Sequence, residues 1–379
     1  MRVLLYSHAF HPSTGGVESV SRTLAEGLVA KGVECVVLTR TPRAAQDHED
    51  AALFPFQVVR RPHTGAILHW LRWADVVLYN GASLALQPWV TLLRKPYLWV
   101  HVGYQVSCID GLGWADGRPA PATPWASFRF HLRRAGPVRA SLDGVKLLLR
   151  RFTAHALVRR NIAITQWMAQ AQPLPRQVQI YNPFPIDRFR QAAPAEAATF
   201  DFVYLGRLVS EKGVDTLLRA FGKVVAQATH RPRLLLIGGG DRMAEMIALA
   251  DSLGVSQDVH FAGNQSGDAL VRFVGSGAVG VVPSTWHEPM GGVAVELMAA
   301  GRGLIVSARG GLAECAGDAG LTFANGDEQA LADCMLRLLA DPGLARELGA
   351  RARRRAAQFA PDRFVEQYID LLHACTRAR

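Results

Sequence analysis

The sequence is poor in cysteine and shows no pairing pattern among the five it has. Cys35, Cys108, Cys315, Cys334 and Cys375 are odd in number, far apart and form no C-x-x-C. That spacing argues against a disulfide framework or structural zinc site and predicts free thiols. No D-x-D pair occurs, and "HEP" at 287–289 is followed by Gly at 291, where H-E-x-x-H needs its second histidine, so no metal site is expected. Met1 runs straight into the apolar "RVLLYS" with no small-residue cleavage site behind it, which argues against a signal peptide. Membrane-length apolar runs are missing too. The longest uncharged stretch, between Asp75 and Arg94, holds Asn80, Gly81, Ser83, Gln87 and Pro88, which suit a strand, turn and helix. A cytoplasmic protein without a transmembrane helix is expected.

What the chain has is length and alternation. Its 379 residues, 49% hydrophobic and 20% charged, exceed what one core usually serves and predict two domains. Strand-like runs at 3–7, 35–39, 75–80 and 97–102 alternate with helical patterns near 18–31 and 84–94. A second series follows, with strands at 201–208, 233–240, 259–263, 277–284 and 303–307, and helices near 213–228, 242–253, from 292, and 328–339. Such alternation predicts parallel sheets covered by helices on both faces. The proline-bearing "YNPFPIDRFRQAAPAEAA" marks a linker near 182–199. The expected domains are 1–184 and 185–360, with a helix over 361–379 that can dock on either and crosses back to the first domain in one reading.

The net charge of +10 sits in the first half: residues 1–184 hold 21 Lys/Arg against 10 Asp/Glu, and the remainder 21 against 22. Within it, 129–160 carries nine Lys/Arg and the single acid Asp143, interleaved with Leu, Val and Phe at helical spacing. That pattern fits a helix lying on an anionic membrane, or a solvated basic helix, or a seat for an anionic acceptor.

Candidate site residues cluster at strand ends. Gly15 and Gly16 precede the first helix, where freed backbone amides attract phosphate. This loop is not G-x-G-x-x-G, and the second strand ends in Thr39 and Arg40 rather than an acid for a ribose, which speaks against a nicotinamide enzyme. Arg207 and Lys212 flank a loop that could clamp a diphosphate, although both types are most often solvated surface charges. In "STWHEPMGGVAVELMAAG", 284–301, Glu288 and Glu296 stand with seven residues between them and no Lys or Arg nearby. An ionised carboxylate accepts two hydroxyl donors at once, so the pair could hold two sugars.

In order, "HPSTGGVE", "HVG", "YNP", "GRLVSEKGVD", "LIGGG", "VHFAGN", the E-x7-E segment and "GG" at 310–311 span almost the whole chain, which resembles the retaining glycosyltransferases of family 4. The resemblance implies an α/β chain of GT-B fold: two Rossmann-like, doubly wound parallel-sheet domains facing across a cleft. It implies that Glu296 binds ribose hydroxyls and Glu288 those of the donor sugar, and that Arg207 and Lys212 hold and stabilise the leaving diphosphate. Gly15 and Gly16 would approach the same phosphates, and the amides of Gly291, Gly292 and Val293 would add donors. His101 matches the histidine beside the anomeric centre, and the base would lie near Gly263 and Asn264. Met290 stands where the family often has an aromatic, a change near the sugar that removes no charged group.

The expected reaction is transfer from a nucleotide-diphosphate sugar, UDP- or GDP-linked, to an acceptor hydroxyl with retention and without cofactor or metal. The acceptor would be lipid-linked or a glycan in cell-surface polysaccharide assembly, placing the protein at the inner face of the cell membrane. A soluble small-molecule acceptor is the rival within the class, and a non-catalytic sugar-nucleotide or glycan-binding protein the rival outside it. No nucleic-acid partner is expected. Seven of eight Trp lie in the first half, and Trp114 and Trp125 are candidates for stacking on an acceptor sugar.

Overall fold

Short runs of Val, Leu and Ile, each bounded by a turn, become strands buried on both faces. In the computed structural model, which describes residues 1–13, 15–43, 50–81 and 83–377, they form two separate parallel sheets. Thr14 of the first glycine loop and the last two residues of the expected C-terminal helix lie outside the described residues.

The chain divides into two compact units: Met1–Ala115 with Pro119–Pro185 and Ala360–Arg379, and Asp116–Arg118 with Ile186–Phe359. In the first unit the elements run β1 (Arg2–Ser7), α1 (Gly16–Ala30), β2 (Glu34–Thr39), α2 (Asp50–Leu53), β3 (Gln57–Arg60), α3 (Thr64–Trp73), β4 (Val76–Asn80), α4 (Gln87–Leu92) and β5 (Tyr97–His101). After the two-residue strands β6 (Trp114–Ala115) and β7 (Arg118–Pro119) come α5 (Pro124–Ala135), α6 (Pro137–Phe152), β8 (Arg160–Ala163), α7 (Gln166–Ala171) and β9 (Gln177–Gln179). The sheet order is β3-β2-β1-β4-β5-β8-β9. Chain direction across the sheet reverses between β1 and β4, where Val3 to Ser7 pair with Val76 to Asn80. Crevices at the carboxyl ends of such strands are where open α/β sheets receive ligands.

The second unit has β10 (Phe200–Leu205), α8 (Val214–Gln227), β11 (Leu234–Ile237), α9 (Met243–Ser252), β12 (Val259–Gly263), α10 (Gly267–Gly275) and β13 (Gly277–Val282). It continues with α11 (Gly292–Ala299), β14 (Gly303–Ser307), α12 (Gly311–Ala316), β15 (Gly320–Phe323), α13 (Glu328–Ala340) and α14 (Pro342–Ala356). Its order, β12-β11-β10-β13-β14-β15, puts the reversal between β10 and β13. Phe202, Leu234, Leu236, Val279, Val281 and Ile305 from these strands are buried against Leu217, Phe221 and Val224 of α8.

Two expectations need correction. Residues 129–160 are not one helix: Gly136, at φ 80°, and Pro137 divide α5 from α6, and the last residues enter β8. The second strand of the second series stops at Ile237, because Gly238 turns away at φ 132° beside the carbonyl of Gly206.

The C-terminal helix α15 (Pro361–Arg377) belongs to the first unit. It lies against α1 so closely that a Cβ on Gly27 would stand 2.5 Å from Val365 Cγ2, and Lys31 Nζ reaches Glu366 at 2.6 Å. Gly27→Val is therefore expected to destabilise the unit by about 1–3 kcal/mol through overpacking, read as a lower denaturant midpoint with unchanged slope.

Candidate active site

Because all pairings are parallel, the carboxyl ends of β10 to β14 open on one edge of the second sheet. The loops there carry Arg207 and Lys212, Gly238 to Gly240, Gly263 and Asn264, Ser284 to Gly292, and Gly310 to Gly311. Glycine lets these loops touch backbone to backbone. At Gly213, φ 65°, a Cβ would sit 2.1 Å from the Pro283 carbonyl oxygen, and at Gly311 one would sit 2.3 Å from that of Pro289. The loop after β10 is thereby pressed onto the loop after β13.

That contact supplies what the 284–301 segment lacks. Glu288 is only 7% exposed, and Lys212 Nζ stands 3.0 Å from its Oε1. Ser284 Oγ donates to the same oxygen, and the Gly311 amide donates to the Glu288 carbonyl at 2.7 Å. Lys212 also lies 5.8 Å from the centre of the Trp286 ring. Oε2 of Glu288 receives no hydrogen bond among the described residues and stays available as an acceptor. Arg207 is different: its side chain is 65% exposed, with Glu211 at 3.3 Å as its partner.

Glu296 lies one turn into α11. Its carboxyl is 16% exposed, and the nearest cation is Arg188, at 3.8 Å. Burial pushes its pKa up to about 7 and the Arg188 charge opposes the rise only in part. Two carboxylates from one segment thus have different states: Glu288 buried, paired and bonded, Glu296 partly enclosed without a hydrogen bond among the described residues. Met290, between them, is buried. Gly291 stands at the N-cap of α11 and Gly292 and Val293 open its first turn, so the three amides lie at the helix start. Asn264 packs against Gly239, whose missing Cβ would stand 3.0 Å from the Asn264 amide.

Other expected residues lie in the first unit. His101 closes β5, buried, with Nε2 2.8 Å from Asn161 Oδ1. Asn161 Nδ2 donates to the carbonyls of Ala154 and Pro175, both at 2.8 Å. Its Oδ1 is then the acceptor, so Nε2 of His101 carries the proton and Nδ1 the lone pair. Burial lowers the His101 pKa to about 4, which keeps the ring neutral at pH 7. Gly15 is overlain by the Glu18 carboxylate, which Ser13 Oγ holds at 2.9 Å, while a Cβ on Gly16 would meet nothing within 4 Å. An anion at this helix start therefore shares it with a resident carboxylate.

An open pocket of about 610 Å³ lies at the carboxyl ends of the first sheet, lined in part by His8, Glu18, Asn80, Gln105, Lys146 and Arg150. Among the described residues Arg150 Nε and Asn80 Oδ1 are buried there without hydrogen-bond partners, while Asn80 Nδ2 donates to Ser21 at 2.7 Å. Sequence reading named none of Arg188, Ser284 or Asn161. Arg188 and Asn161 meet residues far along the chain, which no local pattern announces, while Ser284 stands four residues before the Glu288 it bonds.

Residues 185–355 match the model of the family Glycosyl transferases group 1. Among curated proteins, a D-inositol 3-phosphate glycosyltransferase of Salinispora arenicola is 33% identical over 178 residues, covering 44% of this chain and 40% of that one. The lipopolysaccharide core biosynthesis glycosyltransferase LpsD of Rhizobium meliloti is 30% identical over 217 residues, 56% of this chain and 57% of its own. The chain thus spans less than two thirds of the length of these relatives. Among solved structures, Anabaena HepE in complex with UDP and glucose superposes with TM-score 0.73 at 18% identity, over 98% of this chain and 99% of that one. WaaG, a glycosyltransferase involved in lipopolysaccharide biosynthesis, gives 0.68 at 16%, over 98% and 99%. The fold is GT-B.

Proposed function

We propose that this chain is a retaining glycosyltransferase of family 4 type, moving a sugar from a nucleoside-diphosphate donor to an acceptor hydroxyl. The observation that carries the reading is the contrast between the carboxylates of the second unit: Glu288 bound to Lys212, Glu296 largely enclosed without a hydrogen bond among the described residues. We assign the ribose diol to Glu296, which lacks donors, and a donor-sugar hydroxyl to Oε2 of Glu288. Lys212 and Arg207 then face the diphosphate, with the amides of Gly291, Gly292 and Val293 beside them, and the base lies by Gly263 and Asn264. His101, Gly15 and Gly16 keep the roles their motifs imply. As the anomeric C–O bond breaks, its electron pair moves to the leaving phosphate, where fixed cations contribute most. Their charge replaces a metal, so turnover should persist in excess EDTA.

Thermal shift tests the donor: UDP, GDP, ADP, their sugar forms and NAD are compared on the wild type and on Glu296→Ala. A ligand of the native state raises apparent stability by mass action. One nucleotide family should stabilise the wild type and lose its shift in Glu296→Ala; stabilisation by NAD alone, or by nothing, would overturn the reading. Radiolabelled sugar transfer separates an enzyme from a binding protein.

For the acceptor we propose a compound carrying both a phosphate and a hydroxyl, seated in the pocket of the first unit. Arg150 Nε offers a donor to the anion and Asn80 Oδ1 an acceptor to the hydroxyl. The inositol phosphate of one relative's name and the lipopolysaccharide core of the other's are consistent with such chemistry, as a small molecule or as a lipid-linked glycan. Losing one charge-assisted hydrogen bond costs about 1.5–3 kcal/mol, so Arg150→Ala should raise the acceptor KM by about 10- to 100-fold. The nucleotide-induced thermal shift should not change. Titration calorimetry with phosphorylated polyols against lipid-phosphate micelles distinguishes the two acceptor sources.

A further inference from the structure

Helix α6 is amphipathic in the direction opposite to a packed helix. Ala140 and Leu147 are its buried side chains, and Gly144 sits beside the Phe128 ring of α5. Its apolar stripe faces solvent: Val138, Leu142, Val145, Leu149 and Phe152, at intervals of four, three, four and three residues, are 51–75% exposed. Leu148 beside them and Trp125 of α5 are exposed at 64% and 69%. Nine of the twelve large apolar residues exposed among the described residues fall between Trp125 and Leu157. An uncovered apolar stripe of this extent marks an interaction surface.

The charge around the stripe identifies what covers it. One residue on from the stripe, Arg139, Lys146 and Arg150 form a parallel row, and Arg129, Arg133 and Arg134 are exposed along α5. Asp143, the one acid, is taken by Lys146 at 2.8 Å. Two copies of so basic a face would repel each other, whereas anionic lipid headgroups complement it. No described helix is long and apolar enough to cross a membrane. A 16-residue helix is about 24 Å long and can lie in the headgroup plane with its apolar stripe down and its cations level with the phosphates.

We propose that the α5–α6 face docks the protein on an anionic bilayer, with Val138, Leu142, Val145, Leu149 and Phe152 entering the acyl boundary. The attachment holds whatever reaction the chain performs. It would set the pocket beside Lys146 and Arg150 near the headgroups, within reach of a lipid-linked phosphate.

Co-sedimentation of the full chain with phosphatidylcholine vesicles containing about one-third phosphatidylglycerol tests it. Binding should be strong at low salt, weaker as salt screens the Arg row, and slight on phosphatidylcholine alone. The double variant Leu142→Glu/Leu149→Glu should lose at least about tenfold in partition, with its melting temperature and circular dichroism unchanged, since both positions are exposed. Arg133→Glu/Arg139→Glu should lose the anionic preference. Val145→Cys carrying an environment-sensitive dye should blue-shift on the anionic vesicles. Equal sedimentation of wild type and Glu variant, or no dye shift, overturns the proposal. So does a concentration-dependent dimer in sedimentation equilibrium that the Glu variant abolishes, which would make a second copy the occupant.

Discussion

Glu296→Gln is expected to melt higher than the wild type at pH 8 and to bind nucleotide less tightly. In the folded chain the Glu296 pKa is about 7, against 4.5 as the ordinary value. Between those two pH values the folded state holds a proton that the unfolded state has released. Stability therefore falls as pH rises through that window, and the whole deficit is present above pH 7. The displacement corresponds to on the order of 3 kcal/mol, which the neutral amide does not incur. Near pH 4.5, where the carboxyl is protonated in the fold, the variant and wild type should melt alike. Binding moves the other way. The amide has no charge and puts a donor NH2 where the carboxylate has its second acceptor oxygen, so the two-oxygen grip on a diol is lost and affinity for the nucleotide should fall by about 10- to 100-fold. For the same reason wild-type affinity should weaken as pH drops below 7, and in the variant that dependence should vanish. Thermal melts from pH 4.5 to 8, with and without nucleotide, read all of these. A variant less stable than wild type at pH 8 would mean that Arg188 already stabilises the charged form; unaltered nucleotide affinity would remove the ribose assignment.

The parts of this fold that show in the sequence are those decided locally. Runs such as "VLLYS" and "GLIVS" are apolar enough to be strands in a sheet covered on both faces, and glycine-bearing turns bound them. β8 and β9 do not show, because Arg160, Asn161, Gln177 and Gln179 give them no apolar pattern. Their place comes from neighbours: Leu98 to His101 pair with Arg160 to Ala163, and Asn161 is fixed by two carbonyls and the His101 ring. Periodicity in 137–152 reveals a helix with one apolar stripe, yet it does not say whether that stripe packs or faces water. The division lies in the small residues Ala140 and Gly144, whose side proves to be the buried one.

The site follows the same rule. Glu288, Glu296, Arg207 and Lys212 are legible because charges in glycine-rich strand ends stand out against their surroundings. Their states are not legible. Lys212 and Glu288 belong to different loops, and the contact of Gly213 with Pro283, together with the Trp286 amide and Thr285 hydroxyl donating to the Glu211 carbonyl, brings them to 3.0 Å. Arg188 has no local feature that distinguishes it from Arg190 two residues on, yet it is the one placed against Glu296.

Removing either cation of the proposed diphosphate clamp should reduce turnover by about 10²–10³, but the two losses should differ in stability. Arg207 is largely exposed, and its replacement by Ala should change stability by less than about 0.5 kcal/mol. Its effect should fall on kcat, because the charge it meets develops as the diphosphate leaves. Lys212→Ala carries a second consequence, since it strips the buried Glu288 carboxylate of its counter-charge. Breaking such a pair from one side costs about 3 kcal/mol or more, so this variant should also melt well below the wild type. Adding Glu288→Gln to Lys212→Ala removes the orphaned charge and should restore much of the stability while leaving turnover low. Melting curves and steady-state kinetics on the three variants separate the roles. If the double variant recovers turnover together with stability, Lys212 acts only by neutralising Glu288. If Arg207→Ala keeps the wild-type kcat, the exposed arginine is a solvated charge and the clamp reduces to Lys212 and the α11 amides.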